Sequence, residues 1–125
     1  MKTIFLIRLI GLISITASVA AQAAGNAAAG KTVFRICASC HQIGPNARSG
    51  FGPQLNGVFG RKAGSLSDYS YSAAMKNANI VWNETTLKAY LRAPGDVVPG
   101  TKMRLWGFDN DQQIADLLAY LATNK

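Results

Sequence analysis

The pentapeptide Cys37-Ala38-Ser39-Cys40-His41 constrains the fold of this chain more than any other stretch. It contains both cysteines and the single histidine of the 125 residues. On a helical turn, Cys37, Cys40 and His41 occupy positions i, i+3 and i+4, and so lie on one face. Two thiols and an imidazole on one face predict a shared binding partner around which the chain folds.

Three kinds of site use this combination of residues. Cys-x-x-Cys-His is the attachment signature of a c-type haem, in which both thiols bond to the vinyl groups and the imidazole binds iron. A redox-active disulfide is an alternative, but the Gly- and Ala-rich surroundings differ from the strand-then-helix context of thioredoxin-like motifs. A structural zinc site needs four Cys or His ligands, and the chain has three. The motif therefore favours haem.

The amino-terminal segment has the layout of a secretory signal peptide. Lys2 and Arg8 supply a basic start, an apolar run follows, and residues 21–23 (Ala-Gln-Ala) form a small-x-small cleavage site. An uncleaved membrane anchor is the alternative, because the apolar run is nearly long enough to span a bilayer. We predict a cleaved signal peptide at 1–23, a mature domain at 24–125 and a periplasmic location.

Export and charge together limit the partners of the mature domain. Without Lys2 and Arg8, 11 basic residues remain against 6 acidic ones, a net charge of +5. A basic domain suits nucleic acid, an anionic membrane or an acidic protein surface. Export argues against nucleic acid, and no run of adjacent Lys and Arg predicts a polybasic membrane patch. The charge favours an acidic protein surface.

Helical patterns and a long irregular segment alternate along the mature chain. Ile114, Leu117, Leu118 and Leu121 form an apolar stripe at helical spacing, after possible caps at 109 and 110. Turn-rich residues 42–67 lack periodicity, which is unusual in a small domain unless a cofactor organises them. Helices are predicted at 25–38, 71–76, 84–92 and 110–122. The fold class is all-α, with long loops around one haem.

The loops supply the side chains that are predicted to surround the haem. Leu55, Val58 and Phe59 are candidates for the apolar lining, a role that merges with ordinary core packing. Because His41 is the sole histidine, a second iron ligand is a methionine or is missing. Placement in a turn-rich loop favours Met103, whereas Met75 falls in a short helical segment.

The ordered landmarks resemble those of class I cytochromes c, the mitochondrial and soluble bacterial type. The similarity runs from residue 25 to residue 121. It includes Gly30-Lys31, Phe34, the Cys-x-x-Cys-His motif, Gly52-Pro53-x-Leu55-x-Gly57-x-Phe59-Gly60-Arg61-Lys62, Tyr71, Trp82, Tyr90-Leu91-x-x-Pro94, Pro99-Gly100-Thr101-Lys102-Met103 and Leu117-x-x-Tyr120-Leu121.

This resemblance implies a compact helical fold and a role for each landmark. Met103 becomes the distal iron ligand, and the Pro53 carbonyl accepts the Nδ1 proton of His41. A buried haem propionate needs donors or a counter-charge, and the resemblance assigns three residues to it. These are Arg61, Tyr71 and Trp82, while Tyr90 and Thr101 lie near the methionine, and Phe34 packs against Leu117 and Tyr120.

Two departures from the family pattern concern the partner surface. Leu105, followed by Trp106, replaces the aromatic residue that mitochondrial relatives carry two positions after the methionine. Gly95 and Asp96 replace the lysines that follow Pro94 in those relatives. Haem ligation tolerates both changes, whereas docking to a typical oxidase does not follow from the resemblance.

The resemblance implies a one-electron carrier rather than an enzyme. Two protein ligands leave iron no position for substrate, and a soft sulfur favours Fe(II). The predicted partners are a cytochrome reductase or dehydrogenase as donor and an oxidase or peroxidase as acceptor, with membrane contact only through them and with a monomeric carrier. The alternative is a haem enzyme or gas-binding cytochrome with an open distal site. A basic ring at the haem edge is predicted from Lys31, Lys62, Lys102 and Arg104.

Overall fold

The computed structural model describes residues 24–125, which form five α-helices joined by long loops. In chain order the helices are α1 (Ala27–Val33), α2 (Ala73–Lys76), α3 (Glu84–Arg92), α4 (Pro94–Val97) and α5 (Asp111–Ala122), with one 3-10 turn at Phe34–Ile36. No strand occurs within these residues, and one isolated bridge joins Lys62 to Val81. The all-α prediction is confirmed.

Helices α1 and α5 pack so closely that their backbones nearly touch. A Cβ atom on Gly30 would lie 1.8 Å from the carbonyl oxygen of Asp116, and one on Gly25 would lie 2.0 Å from that of Ala115. Only glycine permits this approach, because any larger residue would collide with the α5 backbone. The Phe34 and Tyr120 rings, 5.6 Å apart, extend the contact towards the cysteine turn.

Capping residues explain where the two longest helices begin. Asn83 accepts a hydrogen bond from the amide of Thr86, whose hydroxyl accepts one from the amide of Asn83, a reciprocal capping box that starts α3. Asn110 accepts from the amide of Gln113 and starts α5. Both helices therefore begin within one residue of the positions predicted from the sequence.

Two local predictions differ from the structure. The first helix, predicted at 25–38, is shorter, because the chain tightens after Val33 into a 3-10 turn before the cysteines. Helix α4 is absent from the predicted elements, because a proline after an apolar stripe indicates the end of a helix, here α3. Proline is well suited to the first turn of a helix, where its missing N–H is not needed.

The apolar side chains of the helices and of loop residues 55–63 share one core. Ile114 and Leu117 of α5 are its most deeply buried members. The other buried hydrophobic residues are Phe34, Val58, Ala63, Trp82, Leu87, Tyr90, Leu91, Val98, Phe108, Leu118 and Leu121. None of the helices in the described residues is both long enough and apolar enough to span a membrane. The predicted signal peptide, 1–23, lies outside those residues.

Candidate haem-binding site

A cavity of about 410 Å³ lies between the helices and the long loops. Its walls are mainly apolar, which suits a large planar cofactor. All ten site residues predicted from the sequence line it, although they are spread over 67 positions of the chain: Cys37, Cys40, His41, Pro53, Arg61, Tyr71, Trp82, Tyr90, Thr101 and Met103. Leu55 and Val58 also line it, whereas Phe59 lies outside it and packs against the core.

The cysteines lie on a single helical turn that follows the 3-10 segment. The Cys37 carbonyl accepts hydrogen bonds from the amides of Cys40, at 3.0 Å, and His41, at 2.8 Å. No disulfide joins Cys37 to Cys40. Burial, and to a lesser extent the neighbouring Cys40, raises the pKa of Cys37 to about 11. A thiol–disulfide oxidoreductase needs a depressed thiol pKa, so this environment argues against that function.

The orientation of the His41 ring is fixed by a backbone carbonyl. Nδ1 lies 2.7 Å from the carbonyl oxygen of Pro53, and because a carbonyl only accepts, Nδ1 carries the proton. This tautomer leaves the lone pair of Nε2 free to bind a metal. Burial lowers the pKa of His41, the Pro53 hydrogen bond opposes this shift, and the Arg61 charge reinforces it. The net effect favours the neutral imidazole, which is the ligand form.

Gly52 provides the surface on which the imidazole rests. A Cβ atom at this position would lie 2.7 to 3.1 Å from three atoms of the His41 ring. The Gly52 amide also donates to the carbonyl of Cys40 at 2.8 Å. Gly52 is a landmark of the family pattern, and a glycine directly before Pro53 is the one sequence signal that indicates this contact.

Arg61 connects the loop that carries Pro53 to the rest of the cavity wall. Its Nη2 donates to the Gln54 carbonyl at 3.0 Å, and its Nη1 donates to the Asn56 carbonyl at 3.2 Å. The Asn56 side chain in turn exchanges two hydrogen bonds with the backbone of Gly44. The guanidinium has five N–H donors, so these bonds leave others for a ligand in the cavity.

The wall that carries Met103 is held by fewer hydrogen bonds. The Tyr90 hydroxyl and the Thr101 hydroxyl lie 2.7 Å apart, and Thr101 Oγ1 also accepts from the amide of Met103 at 3.3 Å. Burial raises the pKa of Tyr90, and its hydrogen bond to Thr101 partly offsets that shift. Met75 lines the same cavity, so the structure brings both candidate methionines to the site.

Three residues are predicted to bind a haem propionate: Arg61, Tyr71 and Trp82. All three lie outside the helices, and Trp82 comes shortly before α3. The Trp82 ring is buried 5.1 Å from that of Tyr90. Tyr71 is half-buried, and burial raises its pKa, while the charge of Arg61 lowers it. Arg61, Tyr71 and Trp82 all line the cavity and supply N–H or O–H donors, which is the chemistry a carboxylate requires.

These residues fit a covalently attached haem. The cavity offers two free thiols and an imidazole with its metal-binding nitrogen unprotonated, and it is lined by apolar side chains. Cys37 and Cys40 would hold such a group by thioether bonds, and His41 would offer its Nε2 to the iron. When bound, the haem supplies a metal that gains and loses one electron.

Comparison with known proteins gives the same result. The sequence model of the family described as Cytochrome c matches residues 27–125. Cytochrome c2 of Rhodomicrobium vannielii is 51% identical over 106 residues, 85% of each chain. Cytochrome c2 of Blastochloris viridis is 46% identical over 111 residues, 89% of this chain and 87% of the relative. The solved structure of cytochrome cH from Methylobacterium extorquens has a TM-score of 0.75 and 40% identity, covering 80% of this chain and 100% of the other.

The helical fold and the haem-sized cavity define an all-α protein built around a tetrapyrrole. The chain belongs to the cytochrome c family, as the resemblance to class I cytochromes c predicted. It carries one haem c, attached through Cys37 and Cys40. It is an electron carrier and not an enzyme.

Proposed function

We propose that His41 and Met103 are the two axial ligands of the haem iron. The observation that carries this proposal is that both residues line one cavity with the two cysteines. Two protein ligands leave no position for a substrate, so only an electron is exchanged. The thioether sulfur of Met103 favours the reduced metal and raises its potential.

The chain's own residues prepare the site for this exchange. Pro53 holds the imidazole in one tautomer, and the missing side chain of Gly52 leaves room for the ring. Arg61, Tyr71 and Trp82 provide donors for the inner propionate, while Tyr90 and Thr101 position the segment that carries the methionine. Side chains held by these contacts should move little when the iron gains or loses an electron.

A visible spectrum of the purified protein tests the ligand assignment. The oxidised and reduced wild type should be low-spin and should not bind carbon monoxide. Met103→Ala should bind it, because one axial position becomes vacant. Met75→Ala is the matched control, since Met75 lines the same cavity, and it should behave as the wild type. Carbon monoxide binding by the wild type would overturn the assignment.

We also propose the cellular setting of the carrier. Residues 1–23 act as a cleaved signal peptide that delivers the domain at 24–125 to the periplasm, where it serves a respiratory or dehydrogenase-linked chain. The support is the basic start, the apolar run and the Ala-Gln-Ala site in the sequence. Mass spectrometry of protein purified from the periplasm should find an amino terminus at residue 24. A retained residue 1 contradicts cleavage.

Acidic faces of redox proteins are the proposed partners of a monomeric carrier. Lys31, Lys62, Lys102 and Arg104, the four predicted ring cations, are all exposed, and the last two line the cavity. Attraction between opposite charges is screened by salt. Bimolecular electron-transfer rates should therefore fall steeply as ionic strength rises. Rates that stay constant would show that the ring does not steer docking.

A further inference from the structure

Asn56 is the one asparagine of the chain that is followed by a glycine. An asparagine deamidates when the amide nitrogen of the next residue attacks its side-chain carbon Cγ. The attack is fastest before glycine, which has no side chain to hinder it and adopts backbone conformations closed to other residues. Gly57 has a φ of 63° and is exposed to solvent. The Asn56-Gly57 pair therefore combines a labile sequence with access to water.

The carboxamide of Asn56 is held by both of its polar atoms. Oδ1 accepts a hydrogen bond from the Gly44 amide at 2.8 Å, and Nδ2 donates one to the Gly44 carbonyl at 2.9 Å. This pairing depends on a planar carboxamide, and attack makes Cγ tetrahedral and expels Nδ2. The reaction must therefore give up the pairing with Gly44, so it proceeds from a locally open state of the loop.

The attacking nitrogen is held by the end of the chain. The Gly57 amide donates to the Asn124 carbonyl at 2.8 Å, and attack requires this nitrogen to lose the proton that it donates. Asn124 lies two residues beyond the end of α5 at Ala122. It is held there by its amide, which donates to the Leu121 carbonyl, and by its Nδ2, which donates to the Tyr120 carbonyl. Because chain ends open more readily than helix interiors, this contact is the weaker of the two restraints.

Deamidation would also change the loop that carries Pro53. An aspartate at position 56 has no N–H for the Gly44 carbonyl, so two acceptors would face each other where a 2.9 Å hydrogen bond now lies. Isoaspartate adds a methylene group to the main chain as well. The Pro53 carbonyl, three residues away, lies 2.7 Å from Nδ1 of His41. A change at position 56 therefore occurs within the segment that orients the imidazole.

We propose that Asn56 is a spontaneous modification site that the closed carboxyl terminus protects, and that its deamidation destabilises the loop that carries Pro53. The Gly57 nitrogen forms a bond to Cγ of Asn56 while the bond from Cγ to Nδ2 breaks. Nδ2 leaves as ammonia with the proton from Gly57. Water then adds to either carbonyl carbon of the resulting succinimide and gives aspartate or isoaspartate. No electron is transferred, and water is the one added reactant.

Incubation of the haem-loaded protein in mildly alkaline buffer, followed by peptide mass spectrometry, tests the protection. The tryptic peptide 49–61 contains one asparagine, so its deamidation is measured alone. Removal of residues 124 and 125 should accelerate deamidation about fivefold, the effect of one hydrogen bond on an opening equilibrium.

Asn83→Ala is the matched control for the truncation. It removes the cap of α3 and lowers global stability, but it leaves the Asn124 carbonyl in place. The rate at Asn56 should then stay within about twofold of the wild type, because the local opening is unchanged. Equal acceleration in both variants, or acceleration in neither, would overturn the protection by the chain end.

The wild type in concentrated urea gives a second measurement that does not depend on how the truncated chain folds. Both restraints are lost there, so Asn56 should deamidate at least about tenfold faster than in buffer. Asn77, which is exposed and precedes an alanine, is the internal control and should change much less. Similar rates at Asn56 in urea and in buffer would show that the fold does not protect it.

Asn56→Asp, which reproduces one product, tests the consequence for the loop. In urea unfolding of the haem-loaded protein, its midpoint should fall below that of the wild type because the bond to the Gly44 carbonyl is lost. Asn46→Asp is the matched control, since it adds the same charge at an exposed residue whose φ of 63° aspartate also adopts. If the two variants unfold at the same urea concentration, deamidation does not destabilise the loop and that part of the proposal is wrong.

Discussion

The two walls that face each other across the cavity are held in different ways. The His41 wall, residues 41–61, is cross-linked by hydrogen bonds from Arg61 to two carbonyls, from His41 to Pro53 and between Asn56 and Gly44. The Met103 wall, residues 99–107, depends on Thr101 and on side-chain packing. Within residues 24–125, the backbone of 104–107 takes part in no such cross-link.

This difference indicates that the two walls have different roles. The hydrogen-bond network holds His41 in place, so changes there should disturb folding itself. The Met103 wall keeps one face in solvent, so its side chains are available to partners and its changes should alter the site more than the fold. The following substitutions test this contrast.

Gly52→Ala should have the largest effect on stability. The new methyl group would meet three atoms of the His41 ring, and overpacking of this kind costs about 3 kcal/mol. Urea unfolding of the haem-loaded protein measures the loss. Gly50→Ala is the matched control, because a Cβ there meets nothing within 4 Å. Equal stability of the two variants would contradict the close seating of the ring.

Met103→Ala should have a smaller effect on the fold and a larger effect on the site. Met103 is half-buried, so its truncation should cost about 2 kcal/mol, near the lower end for methionine. Urea unfolding gives the stability, and electrochemistry should show a lowered potential because the soft sulfur is lost. If Met103→Ala lowers the free energy of unfolding more than Gly52→Ala does, the contrast between the two walls is reversed.

Arg61→Met should destabilise the His41 wall by about 1.5 kcal/mol, because two half-buried carbonyls lose their charged donor. Thermal unfolding measures the effect. Arg35→Met is the matched control, since Arg35 is exposed and should tolerate the change. If both variants unfold at the same temperature, Arg61 does not brace the loop.

Tyr90→Phe should have the smallest effect, about 1 kcal/mol at neutral pH, because one hydrogen bond to Thr101 is lost. A double-mutant cycle with Thr101→Val isolates that bond.

Burial raises the pKa of Tyr90 above its ordinary value of 10, so the unfolded chain loses this proton first. The stability due to Tyr90 is therefore complete below pH 10 and is lost as pH rises through the folded-state pKa. Urea titrations at high pH should show a shallower decline in Tyr90→Phe, and parallel declines would contradict this.

The sequence predicted side chains far better than it predicted backbone contacts. The ten predicted site residues that line the cavity have distinctive chemistry or occur in a recognisable order, and α3 and α5 have caps and apolar stripes. The carbonyls that Arg61 binds leave no trace in the sequence, since every residue has one. The support that Gly52 gives to His41 depends likewise on a contact between distant chain segments.

The exposed indole of Trp106 shows a further limit of prediction from sequence. Trp106 follows the half-buried Leu105 in a loop and precedes Gly107, which lies close to the Arg92 carbonyl. Sequence alone identified Leu105 and Trp106 as a departure from the family pattern. Only the structure distinguishes the inward side chain from the outward one.

The backbone contact between α1 and α5 also has a consequence for biosynthesis. Gly25 and Gly30 fit against Ala115 and Asp116, which the ribosome adds 90 and 86 residues later. Until those residues emerge, α1 has no surface against which to bury its face, and a single short helix is not stable alone in water. The cysteine turn that follows α1 therefore takes up its position against the rest of the fold only after α5 is present.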